Sequence, residues 1–574
     1  MPAPAGARVA LKVNGQALPD DIAGLVVSAM FEQCRNLPDA CVLVFRDNQH
    51  MVFDKVGATI GATIEAGISA TDTADPVKIF KGEVTALEIE MSDGEVHSVI
   101  RGYDQSHRLN VARHADGFVN ATFGDMVRKV ATRAGLSVGD VDSSGGPLDV
   151  TGQFNRTDTE FLDWVERRSG NEYTVQDGKL VWRQRPKPSD SPIATLRGGQ
   201  DVRRLRAGVV ASGQVSKVTV TSWDMKNKQK ISSEATPQAG VAAVGDTTPT
   251  SAAGKLGGPE HLVTSPVYGT KSQTDAAAKA VANDIASGMV QVEGVTDGRP
   301  DLAAGKIIEL TELGPTFNGK YVLTAVRHQL DAVGTYTTAF TVSGSRDASL
   351  FGLTQGQPGG REVGLVPAVV TNNNDPENMG RVKLSFPWMS DSYESDWARC
   401  SAPGAGNKRG LVAVPEVNDE VLVGFEHGDM NRPYVLGGLF NGKDAPPDAA
   451  NLAPNKSVDE RIWMSRTGHK ITMVDKQGAE QITIQTGDGN YVLTLDQNGK
   501  QLVITADQKI TVSGQDIEIT AKKGLKLTGN EVTITGQQKL SASAPQTQVE
   551  GQSKLDLTST GQTTIKGTAG VAIN

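Results

Sequence analysis

Short apolar-polar-apolar triplets recur along the last part of the chain, from Leu502 to Asn574. They restart every seven or eight residues and are separated by Gly, Asn, Gln and Lys. Successive side chains of a strand alternate between its faces, so each triplet predicts a strand with two aliphatics on one face. Ser541 to Gln548, with Pro545, predicts a loop or bulge because proline removes a ladder hydrogen bond. The aliphatic positions that we predict to form a common core are Ile510, Val512, Ile517, Ile519, Leu525, Leu527, Val532, Ile534, Leu555, Leu557 and Ile565.

One such strand buries very little apolar surface, so neighbouring chains must complete the core. The arrangement that does so most simply is three identical chains wound together, with aliphatics along the axis and polar residues outside. This intertwined triple-stranded β-helix would be a rigid, trimeric needle. The alternative is a single-chain β-solenoid of the kind that carries polysaccharide-cleaving sites. The segment has no aromatic residue after Tyr491 and no histidine after His469, which favours the needle.

The preceding chain predicts a mainly β protein with a few helices. Residues 8 to about 110 alternate apolar and polar positions in short runs, which is typical of a β-barrel. Helical spacing follows from Thr122 to Ala134, and a capping box at Thr157 and Glu160 begins a second helix. A hairpin with a turn at Asp177-Gly178 comes next.

Composition divides the chain into four predicted domains. The Ala-, Gly-, Thr- and Pro-rich stretch 232–262 predicts a mobile loop, and the Ala-rich stretch 274–289 predicts a helix. Two Gly- or Pro-rich linkers, 352–364 and 442–458, complete the division. The domains are 1–192, a first barrel with helices; 193–352, a second barrel with the loop; 361–442, a small barrel; and 458–574, the needle.

Charge and composition exclude several classes of function. The formal net charge of -9 and the lack of a basic run argue against binding to nucleic acid. The first residues do not have the pattern of a signal peptide, so we expect synthesis in a bacterial cytoplasm and export by another route. Three cysteines without metal-type spacing, Cys34, Cys41 and Cys400, predict reduced thiols.

Three blocks of sequence resemble the spike proteins of contractile tails. Arg101 to Leu109, Phe154 to Leu162 and the hairpin ending at Trp182 are similar to a baseplate hub, and Tyr321 to Phe340 resembles its closing strands. The most specific block, which resembles the oligonucleotide/oligosaccharide-binding (OB) fold module before the needle, comprises Met379 to Trp388, Trp397 to Cys400, Val414 to Val423 and Gly428 to Gly437. The chain thus resembles VgrG-like spike/hub proteins of phage-tail-like contractile injection systems.

The resemblance implies a structural role rather than catalysis. It implies a mainly β fold of hub β-barrels with α/β insertions, an OB-fold barrel and a trimeric needle that punctures a target envelope. The implied partners are two further copies of the chain, inner-tube and baseplate proteins, cargo effectors and a tip protein of the PAAR class. The tip protein would dock on Val571, Ala572, Ile573 and Asn574. After assembly, the particle would act outside the producing cell or in a target envelope.

An enzymatic alternative remains open from the sequence. A tail-associated enzyme that degrades cell wall or polysaccharide would need a catalytic cluster, and Asp391, Glu394 and Asp396 are the candidate carboxylates. Their polar surroundings favour a solvated loop instead. Phe386, Trp388 and Trp397 form a candidate stacking surface, for which packing is the favoured interpretation. Only 442–458 separates the small barrel from the needle, which leaves no room for a lysozyme domain, and the needle has no histidine after His469 that could hold iron at its end. We therefore predict no cofactor, metal or catalytic residue.

Overall fold

The computed structural model describes residues 7–35, 37–69, 75–144, 146–245, 247–264, 268–344, 364–447 and 457–572. The described chain is mainly β and divides into two compact units, 1–445 and 446–574. The helices are α1 (Asp20–Ala23), α2 (Val52–Val56), α3 (Phe123–Arg133), α4 (Asp158–Ser169), α5 (Pro249–Lys255) and α6 (Lys271–Ser287). Two short 3-10 turns span Gln105–Asn110 and Glu426–Gly428.

The strands follow one another in short runs joined by turns. In the first half they are β1 (Arg8–Val13), β2 (Gln16–Ala17), β3 (Val26–Cys34), β4 (Ala40–Arg46), β5 (Thr63–Ser69), β6 (Val77–Ser92), β7 (Glu95–Tyr103), β8 (Arg113–Ala121), β9 (Ser137–Val141), β10 (Leu148–Thr157), β11 (Asn171–Gln176), β12 (Lys179–Gln184), β13 (Ala194–Arg197), β14 (Val202–Val209), β15 (Lys217–Asp224), β16 (Gln229–Ala235), β17 (Ala242–Val244) and β18 (Glu260–Val263). Further on they are β19 (Val290–Asp297), β20 (Ile307–Thr311), β21 (Gly319–Val322), β22 (Ala325–Asp331), β23 (Tyr336–Val342), β24 (Val366–Asn372), β25 (Lys383–Ser385), β26 (Arg399–Cys400), β27 (Ala405–Gly406), β28 (Arg409–Gly410), β29 (Glu420–Phe425), β30 (Pro433–Gly438), β31 (Glu460–Met464), β32 (Lys470–Val474), β33 (Gln481–Gln485), β34 (Tyr491–Asp496) and β35 (Gln501–Ala506).

The hub contains a sheet of eleven strands. Its order is β14-β19-β23-β22-β3-β4-β7-β6-β5-β1-β2, and neighbouring strands are antiparallel. The pairing of β22 with β3 joins the two halves and places Arg327 opposite Glu32, whose side chains form an ion pair at 3.0 Å. The border that we predict between residues 192 and 193 therefore does not separate two sheets.

Two apolar cores lie along this sheet, and Leu330 and Tyr336 of the second half belong to the first of them. The first core contains Phe31, Phe45 and Ile64, and the second contains Tyr321, Val326 and Phe340. Along β23 buried and partly buried residues alternate from Tyr336 to Val342 without a break. This alternation is what a strand with one face on a core requires.

Two helices and a small sheet are inserted after the first barrel. Thr122 and Thr157 cap α3 and α4, and each helix has the reciprocal side-chain-to-backbone bonds of a capping box. The predicted helix at 122–134 and the predicted capping box at Thr157 and Glu160 are confirmed. The hairpin of β11 and β12 has the predicted turn at Asp177 and Gly178, both with positive φ.

The segment 232–262 is not a loop without secondary structure, so that part of our prediction is wrong. It contains the end of β16, β17, α5 and most of β18. Composition gave the wrong prediction because the few apolar residues of the segment pack into a core that distant strands form. Val241, Val244 and Ala252 are buried in this second hub core. Residue 246 lies outside the described part. The predicted helix at 274–289 is present as α6, which begins earlier because Thr270 caps it.

The small barrel that follows the hub has a five-stranded sheet in the order β25-β24-β29-β30-β26. Its core includes Val370, Leu384, Phe386 and Val421. The buried Asp375 and Arg381 pair at 2.6 Å and fix the turn before β25. The hydrogen bond from Arg381 holds the pKa of Asp375 well below its ordinary value, although burial alone would raise it.

The second unit begins as an antiparallel meander and continues as extended chain. Strands β31 to β35 pair in sequence order through tight turns. From 508 to 572 the described chain has no strand, because its backbone forms no backbone-to-backbone hydrogen bond with another described segment. Of the predicted linkers, 352–363 and 448–456 lie outside the described residues.

Candidate functional site

The aliphatics of the predicted needle all face solvent in the single chain. Ile510 is 55% exposed and Leu557 is 76% exposed, and the other predicted core positions fall between 54% and 72% apart from Leu555 at 52%. Isolated exposed aliphatics are common on protein surfaces, but a regular series of them is not. Whether these residues form a trimer core stays a prediction.

Bends divide the extended chain into equal segments. They occur at 507–508, 515–516, 522–523, 530, 537–538, 545–546, 552–553, 560–561 and 568–569, a spacing of seven or eight residues throughout. The loop or bulge that we predicted at Ser541 to Gln548 stays a prediction, because the described chain forms no paired strands in this stretch. Pro545 lies within one of the regular bends, where its missing N–H costs no ladder hydrogen bond.

The meander presents one apolar face, which the sequence analysis missed. The register places Met473, Ile482, Leu495 and Leu502 opposite one another in adjacent strands. A second row on the same face contains Trp463, Ile471, Ile484, Leu493 and Ile504. Alternation in β31 to β35 could have revealed this face, since it has the same period as the needle triplets.

In the meander the polar face is more buried than the apolar face, whereas an ordinary half-buried sheet buries its apolar face. On the polar face Thr472 is only 8% exposed, whereas on the apolar face its neighbour Met473 is 46% exposed. Trp463 and Ile504 are each 58% exposed. The apolar face of the meander, defined by the two rows above, is thus uncovered in the single chain.

The end that we predict to bind a tip protein is described only in part. Val571 is 50% exposed, and Ala572 is exposed as well. Ile573 and Asn574 lie outside the described residues. Docking at this end stays a prediction.

A polar and aromatic junction joins the inserted helices to the small barrel. Arg168 of α4 donates to Asp429 at 3.2 Å, and its guanidinium lies over the ring of Trp164 at 4.2 Å. Nearby, the Gly152 N–H donates to Asn431 Oδ1 at 2.7 Å. No sequence signal identifies these contacts, because their partners lie more than 250 residues apart.

Aromatic side chains extend the same junction. Phe154 of β10 meets Tyr393 edge to face, with ring centroids 5.1 Å apart. Tyr393 in turn packs on Phe386, which is fully buried. Phe386 is therefore a core residue, as the sequence favoured. Trp388 is 55% exposed and donates its indole N–H to the Pro367 carbonyl at 2.9 Å, while Trp397 lies near two cations.

The three candidate carboxylates do not converge. Glu394 forms an ion pair with Lys383 at 2.8 Å and accepts a hydrogen bond from Thr371. Burial alone would raise the pKa of Glu394, but these two bonds hold it below its ordinary value. Asp396 accepts the Trp397 N–H, and Asp391 is exposed. Such carboxylates suit a fixed loop better than acid-base work.

The cysteine thiols and the possible metal ligands are the remaining groups that could carry chemistry. Cys34, Cys41 and Cys400 are not joined in disulfides, and burial raises the pKa of Cys41. Across the described ranges, no group of three or more His, Cys, Asp or Glu side chains could hold a metal ion. None of the described helices combines the length and hydropathy needed to cross a membrane.

Two family models match separate parts of the chain. Residues 7–332 match the Alg8 N-terminal domain, and residues 366–440 match the Type VI secretion system/phage-baseplate injector OB domain. The second match coincides with the five-stranded sheet of the small barrel. The first covers more than half of the chain.

Relatives and solved structures agree with this assignment. The chain is 27% identical over 244 residues to the actin cross-linking toxin VgrG1 of Vibrio cholerae, covering 38% of this chain and 22% of that protein. It is 31% identical over 142 residues to the type VI secretion system spike protein VgrG3 of Vibrio cholerae, covering 24% of this chain and 14% of that protein. The chain thus spans less than a quarter of the length of either relative.

The fold comparison extends further along the chain. A Francisella PdpA-VgrG complex, in its lidded state, superposes with a TM-score of 0.54 at 8% identity, covering 88% of this chain and 80% of that one. At this identity the likeness concerns the fold alone. The family model over residues 7–332 shows that the chain belongs to the Alg8 N-terminal domain family, and the relatives show that it is similar to VgrG-like spike/hub proteins of phage-tail-like contractile injection systems.

Proposed function

We propose that three copies of this chain form the hub and spike of a contractile injection machine. The observation that carries the proposal is the uncovered apolar face of the meander, continued by the evenly spaced aliphatics beyond it. A second and third copy would cover both, because each chain contributes the same rows and a threefold arrangement closes them around an axis. Apolar burial of about 25 cal/mol per Å² would then drive assembly.

The hub would connect this spike to the tail. Its two barrels lie in one continuous sheet, so three chains would present six similar barrels to an inner tube of sixfold symmetry. The inner-tube and baseplate proteins are the partners that this geometry suits, and cargo effectors would travel with the spike. The particle would assemble in the producing cell, and contraction of its sheath would then drive the needle through a target envelope.

Substitutions in the needle test the trimer. Ile517→Asp or Leu527→Asp places three carboxylates in one layer of the axis, where unpaired charge is costly to bury. We expect both variants to dissociate or to lose heat resistance in light scattering and melting experiments. Lys526→Asp, one residue away on the polar side, is the matched control and should remain trimeric. An intact trimer of unchanged heat resistance in both axial variants would contradict the proposal.

We also propose that a tip protein binds at Val571 to Asn574. Val571 is 50% exposed in the single chain, and exposed strand edges beside its equivalents in three chains would pair readily with strands of another protein. A PAAR-class tip protein binding one per trimer fits this end. Deleting Gly570 to Asn574 should abolish co-purification of the tip protein while the trimer remains folded. Retention of the tip by this truncation would place the docking surface elsewhere.

We further propose that the role is mechanical rather than enzymatic. The ion pair of Glu394 with Lys383 leaves this carboxylate without the raised pKa of a general acid. Purified protein should release no fragments from peptidoglycan or chitin. Turnover that a single substitution at Asp391, Glu394 or Asp396 abolishes would favour the enzymatic alternative.

A further inference from the structure

A cavity of about 550 Å³ lies in the hub between the end of β12, the connection to β13 and the turn before β20. Its lining includes Arg183 and Gln184 from the strand, Lys187 and Ser191 from the connection, and Lys306 from the turn. These residues come from both halves of the hub. Cavities of this volume commonly hold small molecules.

The cavity is cationic in a chain whose net charge is negative. Arg183, Lys187 and Lys306 form no ion pair with any residue in the described ranges. Arg185 also lines the cavity but is held by Glu166 and Asp284. Glu172, opposite Arg183 in the hairpin, is paired with Arg35. Three positive charges therefore remain available at this site.

The lining also contains one acidic residue, Asp190. Asp190 accepts a hydrogen bond from the Lys187 backbone N–H at 3.3 Å, which closes a turn. Its carbonyl accepts a bond from Lys320 at 3.2 Å, which brings another ammonium group close to the cavity. The carboxylate of Asp190 thus shapes the connection and forms no ion pair with Lys187. It keeps its negative charge, so the three unpaired cations and this one carboxylate leave an excess of two positive charges in the lining.

The rest of the lining indicates the class of ligand. Gln176, Gln184 and Ser191 offer neutral hydrogen-bonding groups, whereas Pro186, Ile193 and Ile307 form an apolar wall. A guanidinium and two ammonium groups suit phosphate oxygens, and the wall suits a less polar body attached to them. We propose that this cavity binds a small organic phosphate with two or more phosphate groups. This inference is independent of the trimer and of the tip protein.

Calorimetry on the full-length protein tests the inference. In magnesium-free buffer of constant ionic strength, ATP and pyrophosphate should bind, ATP more tightly because of the apolar wall, and adenosine should not bind. The double variant Lys187→Gln/Lys306→Gln should bind ATP at least about tenfold more weakly, because it removes two of the three unpaired cations that would contact the phosphate oxygens. The double variant Lys230→Gln/Lys279→Gln removes the same charge from exposed positions elsewhere and should bind normally.

Lysine labelling of the wild-type protein gives a second measurement that does not depend on folding of the variants. ATP should protect Lys187 and Lys306 from acetylation and leave Lys230 and Lys279 reactive. The inference is overturned if ATP does not bind at millimolar concentration, if it protects all four lysines equally, or if both double variants bind equally well. Equal binding of citrate and ATP would also overturn it, because the site would then select charge and not phosphate.

Discussion

Arg168 and Asp429 join the helical insertion of the hub to the small barrel through a hydrogen-bonded ion pair of 3.2 Å. Both side chains are largely buried, with 12% and 16% of their surfaces exposed. Asp429 also accepts the Asn431 N–H, and Asn431 reaches back to the Gly152 N–H. The pair therefore fixes the small barrel against two separate elements of the hub.

Removing Arg168 should loosen this junction. Arg168→Met keeps apolar contact with Trp164 but leaves Asp429 buried without its cation, at a cost of about 3 kcal/mol. We expect faster hydrogen exchange in 429–438 and a lower urea midpoint. Arg197→Met, which breaks the exposed pair with Asp201, should cost less than about 1 kcal/mol. Equal losses in the two variants would contradict a special role for Arg168.

Leu495 and Thr494 are neighbours in β34 and lie on opposite faces of the meander, so substitutions at the two positions test which face other copies cover. Leu495→Asp places a charge on the face that we propose to be covered by other copies, so it should weaken the trimer strongly. Thr494→Asp places the same charge on the opposite face, in the same strand. Analytical ultracentrifugation of the two variants compares them directly, and dissociation of the Thr494 variant alone would reverse our assignment of the faces.

Asp39 should make the hub less stable at higher pH. Burial, together with the charge of Asp104, raises the pKa of Asp39 to about 8. The folded state therefore favours the protonated acid, whereas the unfolded chain ionises near pH 4. The stability contribution is present at low pH and is lost as pH rises from about 4 to about 8. Asp39→Asn should flatten this dependence for β3 and β4 in hydrogen exchange, and the exposed Asp149→Asn should not.

His328 should have the opposite effect in acid. Its Nδ1 lies 2.8 Å from the Tyr336 hydroxyl, and burial lowers its pKa to about 4. Because the unfolded chain protonates near pH 6.5, stability is lost as pH falls from about 6.5 to about 4. His328→Gln stays neutral and should retain protection of β22 and β23 in this range. The exposed His261→Gln should follow the wild-type curve, and an identical acid response of His328→Gln would refute the assignment.

The helices and hairpins of the insertion could be predicted because their signals are local. Thr157 and Glu160 lie three residues apart, and Asp177-Gly178 supplies both positive φ angles of its turn. The segment 232–262 could not be predicted in this way. Its few apolar residues, such as Val241 and Ala252, join a core made by strands far along the chain.

The sequence by itself determined the mainly β class, the OB module and the seven- or eight-residue spacing of the last part of the chain, since each rests on alternation, local turns or a motif within one short block. Only the tertiary structure decided which distant residues meet. Arg168 finds Asp429 across 261 residues, and β22 pairs with β3 across nearly 300. Sheet register and charge pairing depend on the positions of whole elements. They therefore cannot be predicted from periodicity or composition. The cationic cavity likewise arises because the hub brings Lys187 and Lys306 to one place.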